Sequence, residues 1–164
     1  MTTLDSAQQA YVERFGRFWE ASGASRTAGR IMGWLVICDP PHQSAAELGS
    51  ALSVSHGSVS TLTRQLIQMN VVERVTFPGD RSSYFHLRDN AWLDVMDRKM
   101  DGLRDLHELG EAGLRLSPGD GSRRAAQLTT VTDFFVRRWP DFILELKQHV
   151  ADGGDLTPES KGTA

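Results

Sequence analysis

The side chains best equipped for chemistry fall between positions 55 and 81. Ser55, His56, Ser58, Ser60, Thr61 and Arg64 lie in a stretch whose apolar members, Val59, Leu62 and Leu66, recur at helical spacing. The polar set is therefore left on the outer side. Short hydroxyl side chains near a helix start let a backbone approach base edges and phosphates closely. An arginine two turns further on reaches a guanine edge or a phosphate. Arg81 follows Pro78-Gly79-Asp80, a turn sequence, with Asp80 beside it to fix the direction of the guanidinium. Taken singly, each residue suits a solvated helix or a charged turn. As an ordered set they point to hydrogen bonding and charge pairing with double-stranded DNA.

Covalent chemistry finds no equipment here. The five histidines, at 42, 56, 86, 107 and 149, show no i, i+4 pair and no carboxylate in a ligand pattern, so no metal is expected. No phosphate loop, Gly-x-Ser-x-Gly elbow or Cys/His nucleophile context occurs. The expectation is a protein that is not an enzyme and uses no cofactor. A single cysteine, Cys38, excludes an internal disulfide and fits a reducing cytoplasm. No basic residue adjoins it in sequence, so it reads as a buried, inert thiol rather than a redox sensor.

The groups between 55 and 81 need two short helices, a tight connection and a two-stranded hairpin to hold them. Ser44 with Glu47 three residues later forms a capping box, and Ala45, Leu48 and Leu52 make one apolar stripe. Ser53-Val54-Ser55 interrupts, and Ser55 caps the second helix. Asn70 suits a left-handed helix end. Val72–Phe77 and Ser82–Leu87 are strand-like runs on either side of the turn. Helix, turn, helix, hairpin is the winged helix-turn-helix plan, whose second helix enters the major groove.

These residues carry a resemblance. A Leu-rich helix leading to Val71-Val72-Glu73-Arg74 and a Gly79-Asp80-Arg81 wing resembles the MarR-type regulators. Arg26-Thr-Ala-Gly-Arg-Ile-Met-Gly-Trp-Leu-Val-Ile-Cys-Asp-Pro40, with the wing and Tyr84-Phe85, is similar to the GbsR-like branch, which includes a repressor of an RND-type lipid and drug efflux pump. The similarity covers roughly residues 10 to 115 and is specific through 26–88. It implies a homodimeric repressor released by a small lipid-like or amphiphilic ligand and controlling an efflux or transport operon. Met69 and Val71, with Phe18, Trp19 and Trp92, are the candidate lining residues for that ligand, and core packing is the competing role for each. The branch also includes choline-responsive regulators, so an aromatic cage for a quaternary amine is an alternative.

The flanks supply the architecture. Residues 5–22 read as a helix with Tyr11, Phe15, Phe18 and Trp19 on one stripe, which suggests burial against a second chain. Arg26 to Cys38 reads as a second helix, stopped by Asp39-Pro40-Pro41, with Gly29 and Gly33 offering a smooth face. A long helix is expected from an Asn90 cap to about Leu116, roughly 40 Å at 1.5 Å per residue. After a break at Ser117–Gly121, a further helix is expected from about Arg123. It carries Leu128, Val131, Phe134 and Phe135, with Pro140 kinking or restarting it before Phe142. Dimerisation is assigned to Tyr11, Phe15, Leu128, Val131, Phe134, Phe135 and Phe142. The resulting divisions are 1–41 for N-terminal helices, 42–88 for the winged region, 89–151 for dimerisation helices, and 152–164 for a flexible tail. The fold class is mainly α with a two-stranded β wing.

Bulk properties fit. The chain has 164 residues, 40% hydrophobic and 24% charged, with no apolar run near membrane-spanning length. No export signal is read, and a cytoplasmic protein is expected. The net charge is −3. From Ser55 to Arg88 the balance is +2, from Arg64, Arg74, Arg81 and Arg88 against Glu73 and Asp80, which leaves −5 for the remainder. A basic reader on an acidic body still binds through local phosphate contacts. The expected partner is a pseudo-palindromic duplex read by two chains. The rival class is a winged helix used as a protein-interaction module; alanine at Arg64 or Arg81 separates the two.

Overall fold

A computed structural model describes residues 4–116 and 119–153. The chain divides into two compact units, Met1–Trp92 and Leu93–Ala164.

The first unit opens with α1 (Ser6–Ala21) and α2 (Arg26–Ile37). Asp5 caps α1 by accepting from the Ala7 and Gln8 amides, and the Gln8 side chain returns a bond to the Asp5 amide. The two helices approach closely because glycine lines the seam. A Cβ on Gly29 would lie 2.5 Å from that of Trp19, and one on Gly33 would lie 2.8 Å from that of Phe15. The aromatic stripe expected to await a second chain is thereby divided. Trp19 is buried at 7% exposure, whereas Tyr11 and Phe18 stay exposed, at 38% and 65%. Phe15 is half-buried, with Trp92 5.9 Å from it between ring centroids. Phe15 and Trp19 thus pack onto α2, where two missing side chains make room.

The winged region follows as expected in order. Ser44 and Glu47 form their capping box at the start of α3 (Ala45–Leu52), with bonds of 3.2 and 2.6 Å. Ser53, at φ 53°, turns the chain. Ser55 then caps α4 (His56–Gln68), and Asn70 ends it at φ 52°. Leu48, Leu52, Val59 and Leu66 meet Ile31, Met32, Val71 and Val72 in the fully buried core. Thr63 is buried among them with its hydroxyl donating to the Val59 carbonyl over 2.8 Å.

The sheet has three strands rather than two. β1 (Gln43–Ser44), β2 (Val72–Val75) and β3 (Tyr84–Leu87) stand in the order β1-β3-β2, all antiparallel, with Gln43 opposite Phe85 and Arg74 opposite Phe85 from the other side. β2 and β3 are shorter than the expected runs. The reason is a turn at Phe77-Pro78-Gly79-Asp80, closed by the Asp80 amide on the Phe77 carbonyl at 3.1 Å with Gly79 at φ 84°. β1 is held by a core polar contact. The buried Gln43 accepts from the Trp34 indole at 3.2 Å and donates to the Pro40 and His42 carbonyls.

The second unit is an antiparallel pair made from α5 (Ala91–Leu116), whose first turn belongs to the first unit, and α6 (Asp120–Ala151). Trp139 donates from its indole to Asp97 over 2.7 Å, His107 shares a 3.0 Å hydrogen bond with Thr132, and a Cβ on Gly110 would touch Thr129. α5 begins after Asn90 at φ 64°, a left-handed residue and not the extended backbone of a side-chain cap. α6 starts at Asp120, ahead of the expected Arg123, and runs through Pro140 as one helix, so Pro140 does not restart it. Part of the expected break, 117–118, and most of the expected tail, 154–164, fall outside the described residues.

Candidate nucleic-acid interface

The first turn of α4 is built by its own hydroxyls. Ser55 is extended, at φ −63° and ψ 148°; its Oγ accepts from the Ser58 amide at 3.3 Å and shares a 2.9 Å hydrogen bond with the Ser58 hydroxyl. The cap leaves the N-terminal end of α4 at the surface. His56, Ser58, Thr61 and Arg64 are exposed and Ser60 is half-buried, so the polar row expected from spacing shares one side, opposite buried Val59, Thr63 and Leu66. Among the described residues Arg64 makes no ion pair or side-chain hydrogen bond, and neither does Arg81. Both guanidiniums are free to meet a polyanion.

Asp80 has a different role from the one expected. Its carboxylate does not engage the Arg81 guanidinium. Oδ1 accepts from the Ser82 amide at 2.7 Å and Oδ2 accepts from the Tyr84 hydroxyl at 2.6 Å. The Tyr84 hydroxyl, then the Ser82 amide, hold the Asp80 carboxyl below its usual range, and the same carboxylate pushes the Tyr84 hydroxyl up. Asp80 and Tyr84 stand four positions apart, just after a tight turn, a spacing the sequence displays. The rest of the wing's support has no local signal. The rings of His42, Phe77 and Tyr84 form a triangle with centroids 4.8, 5.5 and 5.2 Å apart. His42 reaches it only because β1 joins β3.

A second feature lies at the far end of α4. A cleft of about 350 Å³ opens between Trp19, Ser25, Ala28, Gln65, Leu66 and Met69. Of the five candidate effector-lining residues it brings together Trp19 and Met69. Val71 is fully buried in the core. Phe18 lines a separate recess with Tyr11, Arg14 and Phe15, and Trp92 leans on Phe15. The cleft is lined by no charged side chain. Cys38 is buried, and desolvation pushes its thiol up to about 11, so it stays protonated and unreactive at neutral pH. Among the described residues no group of three or more His, Cys, Asp or Glu side chains is placed to hold a metal, and no helix is long and apolar enough to cross a membrane.

A capped helix with a free arginine, set beside a braced wing with a second one, is the plan of a winged helix-turn-helix protein. No protein-family model matches the chain. Over 121 residues it is 40% identical to the HTH-type transcriptional regulator MmpR5 of Mycobacterium tuberculosis, covering 72% of this chain and 73% of that protein. It is 24% identical over 92 residues to the putative HTH-type transcriptional regulator YvaV of Bacillus subtilis, covering 56% of this chain and 51% of that one. A crystal structure described as that of a transcriptional regulator superposes with a TM-score of 0.70 at 34% identity, over 87% of this chain and 99% of the other. The chain belongs to the HTH-type transcriptional regulators, and is a regulator rather than an enzyme.

Proposed function

We propose that two copies of the chain pair and read a pseudo-palindromic operator in double-stranded DNA, repressing transcription until a small effector releases them. The carrying observation is the unpaired Arg64 on the outer row of α4, at the same surface as Ser58 and Thr61. In this reading Ser55, His56, Ser58, Ser60, Thr61 and Arg64 meet the major groove, and Arg81 meets the adjoining minor groove or backbone. Asp80 serves by shaping the wing. DNA as the partner puts the work in the cytoplasm.

Pairing is supported by α6. Val131, Phe134, Phe135 and Phe142 are each about half exposed on a helix whose single unit leaves them uncovered. The effector is supported by the cleft at the foot of α4, where a ligand against Trp19 and Met69 touches the helix that reads DNA. Its uncharged lining favours a lipid-like or otherwise amphiphilic molecule over a quaternary amine, which needs a cage of aromatic faces. A repressor released by such a molecule suits an operon for its efflux or transport.

The test is fluorescence anisotropy on DNA upstream of the chain's own gene, beside an unrelated duplex of equal length, over a range of salt. Selective binding that falls with salt and weakens in Arg81→Ala is expected. Equal, feeble binding to both duplexes, followed by no enrichment from a random library, would sink the proposal in favour of a protein-interaction module.

A further inference from the structure

Residues 76–83 leave the sheet ladder between β2 and β3, and Arg81 sits near their middle. An arginine there is useful to DNA only if its backbone holds a set course, because ordering a loop on binding subtracts from affinity. The loop carries its own constraint. On one side of Arg81 the Phe77–Asp80 turn is closed at 3.1 Å. On the other, the Ser82 amide is fixed to Asp80 Oδ1 at 2.7 Å. Both depend on where Asp80 stands, and Asp80 is tethered to the sheet by the Tyr84 hydroxyl at 2.6 Å. Tyr84 is in turn gripped from two sides. Its backbone pairs with Ser44 and Val75, and its ring packs on His42 and Phe77.

We infer that Tyr84 is a positioning residue for Arg81, its hydroxyl acting through Asp80 to hold the wing tip in the course that presents the guanidinium to the duplex. This rests on the DNA-reading function proposed above. Tyr84 need not touch DNA; it transmits the rigidity of the three-stranded sheet to a loop that lacks ladder bonds. The His42 ring completes the mount, so the short strand β1 serves the wing although it is distant in sequence.

The test is a double-mutant cycle on the selected duplex, with Tyr84→Phe, Arg81→Ala and the pair, alongside amide exchange at Ser82. Phenylalanine keeps the ring packing and removes only the tether; Asp80→Ala, at an exposed position, removes the same tether should Tyr84→Phe lower the melting midpoint. Tyr84→Phe is expected to weaken binding about two- to tenfold and to speed Ser82 exchange. The double variant should bind no more weakly than Arg81→Ala alone, since the tether acts only through that arginine. Independent, additive losses would overturn the inference, as would unchanged Ser82 exchange in both tether variants. Wild-type protein that discriminates no duplex would instead overturn the DNA reading itself. Faster Ser82 exchange in that case would show a brace with no arginine to aim for DNA, and the positioning role would fall with it.

Discussion

Arg30 Nη2 donates to the Leu52 carbonyl over 2.8 Å, so α2 satisfies the C-terminal end of α3 at the turn that leads to α4. The last four carbonyls of a helix lack partners within it, and a positive charge there also meets the negative end of the helix dipole. The same guanidinium lies 2.7 Å from Glu13 on α1, and Arg26 reaches Glu13 at 2.8 Å. The Arg26 hydrogen bond, with Arg30's charge added, holds the Glu13 carboxyl below its usual range against the opposing effect of burial.

Replacing Arg30 by Ala is expected to destabilise the protein by about 1–3 kcal/mol, the cost of stranding a part-buried acceptor. Arg30→Lys should recover only part, because one ammonium does not reproduce a guanidinium fork reaching two elements. Urea unfolding of the three proteins decides it; a loss under about 0.5 kcal/mol for Arg30→Ala would mean that water replaces the bond at no cost.

Two glycines should respond with opposite sign. Gly29→Ala drives a methyl to within 2.5 Å of the Trp19 Cβ and 3.0 Å of the Gly16 backbone. A loss of about 1–3 kcal/mol is expected from that overpacking. Gly102, inside α5, has nothing within 4 Å of a Cβ placed there. Gly102→Ala is expected to stabilise by roughly 0.5–1 kcal/mol through helix propensity. A thermal midpoint that does not fall in Gly29→Ala would contradict the α1–α2 seam as described, and one that falls in Gly102→Ala would contradict the open space around that position.

Cys38 gives a dependence on pH. Its thiol is raised from an ordinary 9.0 to about 11 by burial. A raised value means that its contribution to stability is whole below about pH 9 and is lost as pH climbs toward about 11. At pH 8 a thiol reagent should label Cys38 only as fast as the protein opens, and Cys38→Ser should flatten the alkaline decline of the urea midpoint. Rapid labelling of the folded protein would place the thiol at the surface.

On the pairing through α6 proposed above, Phe135→Glu should yield a monomer with the winged unit still folded, seen as halved mass by sedimentation with unchanged amide protection in α3 and α4. Burying one phenylalanine contributes about 1.5–3 kcal/mol, and a charge on an apolar face reverses that sign. A dimer that survives the substitution would move pairing away from this face.

The winged region was readable because its signals are local. Ser44 with Glu47, Ser55, Asn70 and Pro78-Gly79 each act within four residues, and each stands as read. What escaped depends on distant partners. β1 exists because Phe85 pairs with Gln43, and nothing in Gln43-Ser44 alone spells a strand. The aromatic stripe of α1 shows which residues are large but not which neighbour lacks a side chain; Gly29 and Gly33 decide that Trp19 and Phe15 turn inward. Sequence adjacency suggests that Asp80 fixes the direction of the Arg81 guanidinium, but two closer donors, a backbone amide and a phenol, claim both of its oxygens. At Pro140 the missing amide removes one hydrogen bond, which a helix of 32 residues accommodates without a break.

The pairing of β1 with β3 has a kinetic side. It joins Gln43 to Phe85 and so closes a loop of about 40 residues around α3 and α4, an entropic cost incurred before the two-residue strand returns anything. α3, its turn and α4 form through near neighbours and should assemble early, whereas this closure comes late. The same order runs backward when the protein breathes: the strand that supports the wing opens before α4, so brief native-state fluctuations would slacken Arg81 while leaving Arg64 in place.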